Sequence, residues 1–142
     1  MGAMDEFNQP IIDEFRANEG KVGGMFAGAP IVLLTTTGAK SGQKRLNPLA
    51  ALVEEDGTAY VFASAAGAPK HPDWYHNLVA HPQVEVEIGT EHYTATATSL
   101  TGAKRDEIYE RQKAAMANFV EYEEKTKGIR TIPVVELTRT AS

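Results

Sequence analysis

The densest chemistry in the chain lies between Thr35 and Leu49. Thr35-Thr36-Thr37-Gly38-Ala39-Lys40-Ser41-Gly42-Gln43-Lys44-Arg45 brings two lysines, an arginine, four hydroxyls and two glycines into a single turn. Glycine accepts positive φ and carries no Cβ, so backbone N–H groups here can face an anion, and Lys40, Lys44 and Arg45 add formal charge. Such a turn suits a phosphate or a carboxylate, although a solvated basic hairpin tip has the same composition. Two narrower readings fail. The glycine spacing is not Gly-x-x-x-x-Gly-Lys-Ser/Thr and the chain runs on as a strand, so this is not a P-loop. The dinucleotide fingerprint fails in spacing and in helical context.

Other reactive residue types carry less. His71, His76 and His81 recur every five residues, which on a helix rotates each by roughly 140° from the last. They cannot converge as i, i+4 histidines do, and with no cysteine and no HExxH a metal site is not expected. Ser64 follows a strand, but its neighbours are Ala63 and Ala65 where a nucleophile elbow needs Gly-x-Ser-x-Gly. Its hydroxyl could polarise a carbonyl or orient a ring. Trp74 and Tyr75 are most simply core aromatics.

Composition bounds the classes available. The chain has 142 residues, 42% hydrophobic and 23% charged, which suits one soluble domain, 1–142, with an adequate core. Met1-Gly2-Ala3 ahead of Met4 reads as an expression remnant. The absence of cysteine fits a reducing cytoplasm. No stretch reaches the ~18 apolar residues of a membrane span. A net charge of −5 argues against nucleic acid as a partner. The sign is uneven, however: Gly20 to Val53 holds Lys21, Lys40, Lys44 and Arg45 and no acid. A purely positive region in an acidic protein points to a discrete anionic ligand.

The elements that must position these residues follow from periodicity and punctuation. Phe7, Ile11, Ile12 and Phe15 give an amphipathic helix over about 5–18. Met25-Phe26 sits in a Gly/Pro-rich loop that could meet a substrate or the surface of a membrane, or pack on its own domain. Strands are expected over 31–37, 45–53 and 58–64, the last two joined at Glu54-Glu55-Asp56-Gly57, all antiparallel neighbours. A short helix over 71–80 has Pro72 in its first turn. Val84, Val86 and Ile88 alternate with glutamates, and 91–98 is the hairpin partner. One long helix is expected over 101–124, with Ile108, Met116, Phe119 and Val120 as its apolar stripe. A last strand covers 131–137, with Pro133 at an edge or at its start. Six strands interrupted by helices suggest a small α+β barrel, closed or partly open.

In order, the chain carries Thr35-Thr-Thr-Gly-x-Lys-Ser-Gly-x-x-Arg-x-Asn-Pro-Leu49, Ala63-Ser-x-x-Gly-Ala-Pro-Lys-x-Pro-x-Trp-Tyr-x-Asn-Leu78, His81-Pro-x-Val-x-Val86 and Arg130-Thr-Ile-Pro-Val134. These motifs resemble the deazaflavin (coenzyme F-420)-dependent nitroreductase family of actinobacteria, from about residue 30 to the C-terminus. The resemblance implies a split β-barrel, like that of flavin-mononucleotide-binding reductases. It also implies an 8-hydroxy-5-deazaflavin hydride donor with a phospholactyl-polyglutamate tail. It puts Lys40, Ser41 and Arg45 on the cofactor phosphate, with Gly38 and Gly42 allowing close backbone approach. Asn47 and Pro48 would lie near the deazaflavin ring, Ala63 and Ser64 beside ring and substrate, and Lys70, Trp74 and Tyr75 along the cofactor groove. Ser64 and Tyr122 would be the catalytic hydrogen-bonding groups, and Met25, Phe26, Met116, Phe119 and Tyr122 the substrate pocket. Two departures stand out. The family's lysine after the Ala-Ser pair is Ala65 here, and of its late-helix tyrosines only Tyr122 keeps a phenol.

The expectation is a reductase that moves a hydride from reduced deazaflavin to a small unsaturated, quinone-like or nitro substrate. A deazaflavin carrier with little turnover, and an FMN oxidoreductase on the same fold, are the competing readings. A monomer or homodimer is expected, cytoplasmic or at the periphery of a membrane.

Overall fold

The computed structural model describes residues 3–18 and 30–140. Helix α1, Ala3–Ala17, precedes strand β1, Ile31–Thr37, and β2, Lys44–Val53, followed by β3, Ala59–Phe62. Helix α2, Asp73–Ala80, leads to β4, Gln83–Ile88, and β5, Glu91–Leu100; α3, Gly102–Ala115, and α4, Asn118–Thr126, precede β6, Val134–Arg139. All neighbouring strands are antiparallel, and the order β1-β2-β3-β6-β5-β4 closes on itself as a barrel. The expected α+β split barrel is therefore found, and it is closed. Among the described residues no helix is long and apolar enough to cross a membrane.

Alternation along each strand explains the layers. Val32, Leu34, Ala51, Val61, Val84, Val86, Ala95, Val135 and Leu137 fill the barrel, joined from α2 by Trp74 and Leu78, which plug one end. The opposite parity faces outward and is covered by helices. Ile31 and Leu33 pack under Ile12 and Phe15 of α1. Tyr60, Phe62 and Val134 pack under Ile108, Tyr109 and Phe119 of α3 and α4. This double burial is why β1 reads as a continuous apolar run.

Four boundaries correct the sequence reading. The expected helix over 101–124 is two helices, α3 ending at Ala115 and α4 starting at Asn118. The interruption is tertiary in origin: the Tyr109 hydroxyl donates to the Phe119 carbonyl at 2.8 Å, and Phe119 turns onto Phe62 and Tyr109. Val120, placed in the apolar stripe, is exposed. The third strand stops at Phe62 rather than Ser64, although the Ala63 N–H still donates to the Pro133 carbonyl. His71 and Pro72 lie outside α2, with Pro72 at its N-cap. Pro133 precedes β6, which lies between β3 and β5 rather than at an edge.

Strand β2 pairs unevenly. Toward β1 its register runs from Lys44 to Ala50, but toward β3 only Ala51, Leu52 and Val53 pair. Among the described residues, the β3-side edge of residues 44–50 meets no strand. Pro48 fits this edge. The Ala51 N–H donates to the Pro30 carbonyl, so antiparallel alternation turns the nitrogen of Pro48 away from β1, toward the side where β3 has ended.

Candidate functional site

One end of the barrel gathers the ends of β1 and β3 and the starts of β2 and β6, together with α2. The β1–β2 turn there is held internally. The Gly38 N–H donates to the Gln43 carbonyl at 2.7 Å, the Gly42 N–H donates back to the Gly38 carbonyl at 3.0 Å, and Ser41 Oγ accepts from the Gln43 N–H at 3.1 Å. A Cβ on Gly38 would lie 2.5 Å from Ser41 Oγ and 3.2 Å from the Gln43 carbonyl. Its missing side chain thus serves the close packing of the turn itself. Gly42 has φ +73° and open space around it, so its glycine is required by conformation alone.

Asn77 anchors this turn to α2. Its Oδ1 accepts from the Ala39 N–H at 3.0 Å and its Nδ2 donates to Thr36 Oγ1 at 3.2 Å, with both Asn77 and Thr36 buried. Lys44 Nζ donates to Thr37 Oγ1 at 3.2 Å. Lys40 and Arg45 are exposed on the turn and Lys70 on the β3–α2 connection. Among the described residues no hydrogen bond or ion pair engages these three. Elsewhere most cations meet a carboxylate, Arg16 with Glu87, Arg111 with Glu54, Lys113 with Glu123 and Arg139 with Glu91. Among the described residues the exposed Lys125 and Lys127 at the end of α4 do not. In an acidic protein, this end keeps its positive charge uncompensated.

The β3–α2 connection supplies the second side. Ala63 and Ser64 are buried and lead into a single 3-10 turn, Ala65–Gly67, with Ala65 at φ 47°. Gly67 has φ +85°, and a Cβ there would lie 2.8 Å from Lys125 Cδ and 3.4 Å from Tyr122 Cα. Glycine therefore lets α4 close on the loop, which brings the helix turn of Tyr122 beside the segment that follows Ser64. Tyr122 is half-buried; its hydroxyl accepts from Asn118 Nδ2 at 2.9 Å, which leaves its own proton free to donate.

Arg130 organises that connection. Its Nη1 donates to the Ala63 carbonyl at 3.0 Å, Nη2 to the Ser64 carbonyl at 2.9 Å and Nε to the Ala68 carbonyl at 3.0 Å. Nη1 also meets His71 Nδ1 at 2.9 Å. Burial holds the imidazole of His71 below its ordinary pKa, and the Arg130 charge lowers it further. His71 stands edge-on to Tyr75, whose hydroxyl bonds Ser99 Oγ at 2.8 Å.

The remaining expected site residues fall as follows. Asn47 is half-buried opposite Leu34, and Pro48 is buried opposite Leu33. Trp74 belongs to the barrel core, and Tyr75 is half-buried. Phe119 is buried and stands 5.1 Å from Tyr122 between ring centroids, while Met116 is half-buried and accepts from Gln112 Nε2. Met25 and Phe26 lie outside the described residues. Among the described residues no cluster of metal-ligating side chains occurs. Asn77 and Arg130 are the residues that sequence reasoning passed over. Both stand inside quoted motifs, and a buried polar residue within a long motif was the signal available.

Comparisons with known proteins agree on one family. The profile described as F420H(2)-dependent quinone reductase matches residues 10–139. A protein of Mycobacterium tuberculosis named F420H(2)-dependent quinone reductase is 38% identical over 130 residues, covering 88% of this chain and 85% of the relative. A solved structure of an F420-H2 dependent reductase, FDR-A, superposes with a TM-score of 0.68 at 45% identity over 76% of this chain and 93% of its own. A second, described as a domain-swapped dimer, gives 0.69 at 41% identity over 89% and 93%. The heme storage protein HutZ of Vibrio cholerae, at 14% identity and TM-score 0.59 over 94% and 91%, shares the fold alone.

Proposed function

Because the chain belongs to the F420H(2)-dependent quinone reductase family, we propose that this end of the barrel binds a reduced deazaflavin and that the protein reduces a small quinone to its hydroquinone. The observation that carries the reading is the set of unpaired cations, Lys40, Arg45 and Lys70, around a turn fixed by Asn77. A cofactor tail bearing a phosphate and several carboxylates is the complement of such a set.

When bound, the deazaflavin supplies a hydride, and one proton from a protein group or water completes the hydroquinone. The chain's own residues bind and orient. Lys40 and Arg45 take the anionic tail, with the exposed amides of the turn beside them. Ser64, on the loop fixed by Arg130, offers a hydroxyl to the quinone carbonyl. Tyr122, whose oxygen is already occupied by Asn118, can present its proton to the oxygen that gains charge. Met116, half-buried on the same cluster as Tyr122, would give that side an apolar surface suited to a quinone ring, with Phe119 packed behind it.

Fluorescence titration with the deazaflavin and with FMN, followed by mixing the reduced complex with menadione, tests this. Saturable quenching by the deazaflavin and menadione-dependent loss of the reduced cofactor are expected. Saturable quenching by FMN alone would overturn the cofactor assignment, and stable reduced cofactor in the presence of quinones would overturn the activity.

A further inference from the structure

Arg130 differs from the other well-bonded arginines of the molecule. Arg16, Arg105, Arg111 and Arg139 each meet a carboxylate, whereas Arg130 spends its donors on three backbone carbonyls and one imidazole. All four acceptors belong to the span from Ala63 to His71. That span includes Ala65 at φ 47°, a conformation an alanine holds only when its surroundings impose it. A guanidinium can only donate, so His71 Nδ1 must be the acceptor, and the imidazole proton must sit on Nε2. His71 occupies a position left open in the motif, between Lys70 and Pro72, so the tautomer is a property of this chain's own residue.

We propose that Arg130 is a positioning residue of this site: it holds the Ala63–Ala68 loop in its ligand-binding shape and fixes His71 as a neutral imidazole whose Nε2–H donates to the bound cofactor. The inference rests on the reading of this end as the deazaflavin site. The groups facing His71 are Arg130 and, from α2, Tyr75 and His76, whose ring stands 5.9 Å away. None of them is a carboxylate that would favour the imidazolium. The uncompensated guanidinium adds to Lys40, Arg45 and Lys70 at the same end.

The ring nitrogen shifts of ¹⁵N-labelled protein, recorded without ligand, read the tautomer directly. In the wild type His71 should show Nδ1 bare and Nε2 protonated, down to a pH below the ordinary histidine range. Arg130→Lys keeps the charge but not the fork. It should fold, let the His71 nitrogens drift toward the averaged pattern of a free imidazole, and weaken deazaflavin binding by about tenfold or more. His71→Ala, with the three carbonyl bonds intact, should weaken binding less. An unchanged tautomer in Arg130→Lys, or a lost tautomer with unchanged affinity, would overturn the proposal. A wild type with the fixed tautomer but no affinity for deazaflavin would instead overturn the functional reading and leave the Arg130–His71 geometry standing.

Discussion

Asn77 does with one amide what the turn's own residues cannot. Residues 38–43 close on themselves, yet their position over the barrel end depends on a contact that spans 38 positions in the chain, from Ala39 to Asn77. Asn77→Ala leaves the part-buried Ala39 N–H and the buried Thr36 hydroxyl without that partner. A loss of about 1–3 kcal/mol in urea unfolding is expected, together with weaker deazaflavin binding. Gly67→Ala tests the other side. With φ +85° and Lys125 Cδ at 2.8 Å from a new Cβ, a cost of about 1–3 kcal/mol is expected, and α4 should be displaced from the Ser64 loop. Residue types at this end were legible in the sequence, because glycines, cations and hydroxyls announce themselves locally. Partnerships were not. Nothing about Asn77 or Arg130 in isolation says that one ties a turn and the other a loop, since both contacts form only after the barrel has closed.

Among the elements, the strands were legible, and their errors are confined to ends. Strand β4 alternates apolar residues with glutamates, while β1 and β3, covered on both faces, read as short apolar runs. The break between α3 and α4 was not legible, since residues 112–120 contain neither glycine nor proline. Helical periodicity runs through the break, and what interrupts it is the Tyr109 hydroxyl bonding the Phe119 carbonyl across ten residues. Tyr109 is fully buried, and that burial pushes its phenol up to about 12. In the unfolded chain a tyrosine ionises near ~10. The folded state therefore holds the proton more tightly, and this contribution to stability is intact below pH ~10 and is lost as pH rises toward about 12. Urea midpoints measured across that window should fall with pH. Tyr109→Phe should cost about 1 kcal/mol at neutral pH and flatten the alkaline decline, with the raised phenols of Tyr60 and Tyr93 leaving a smaller slope.

For the molecule as a whole, charge is distributed with a purpose that composition alone only hinted at. A net charge of −5 coexists with an end whose cations lack carboxylate partners. Lys40→Ala with Arg45→Ala should therefore weaken deazaflavin binding by roughly tenfold or more while leaving the melting temperature nearly unchanged, because neither side chain is engaged in the fold. The wild type should also bind less tightly as salt is raised, and the double variant should lose most of that dependence. Unchanged affinity in the double variant would place the tail elsewhere.

The half-paired edge of β2 has a consequence for how this protein's stability is to be understood. Residues 44–50 contribute a strand that the barrel supports from one side only, next to the turn that bears Lys40 and Arg45. A ligand seated along that edge would supply contacts the polypeptide does not provide for itself. Part of its binding free energy would then appear as cooperativity of the fold. The N–H groups of Lys44 and Leu46 share the parity of Pro48 and face the open edge. Amide exchange there should be fast in the free protein and slow in the complex, and the melting temperature should climb with the logarithm of ligand concentration. Thermal stability would then serve as a gauge of cofactor supply, with the empty protein the first to be lost to proteolysis when the cofactor runs short.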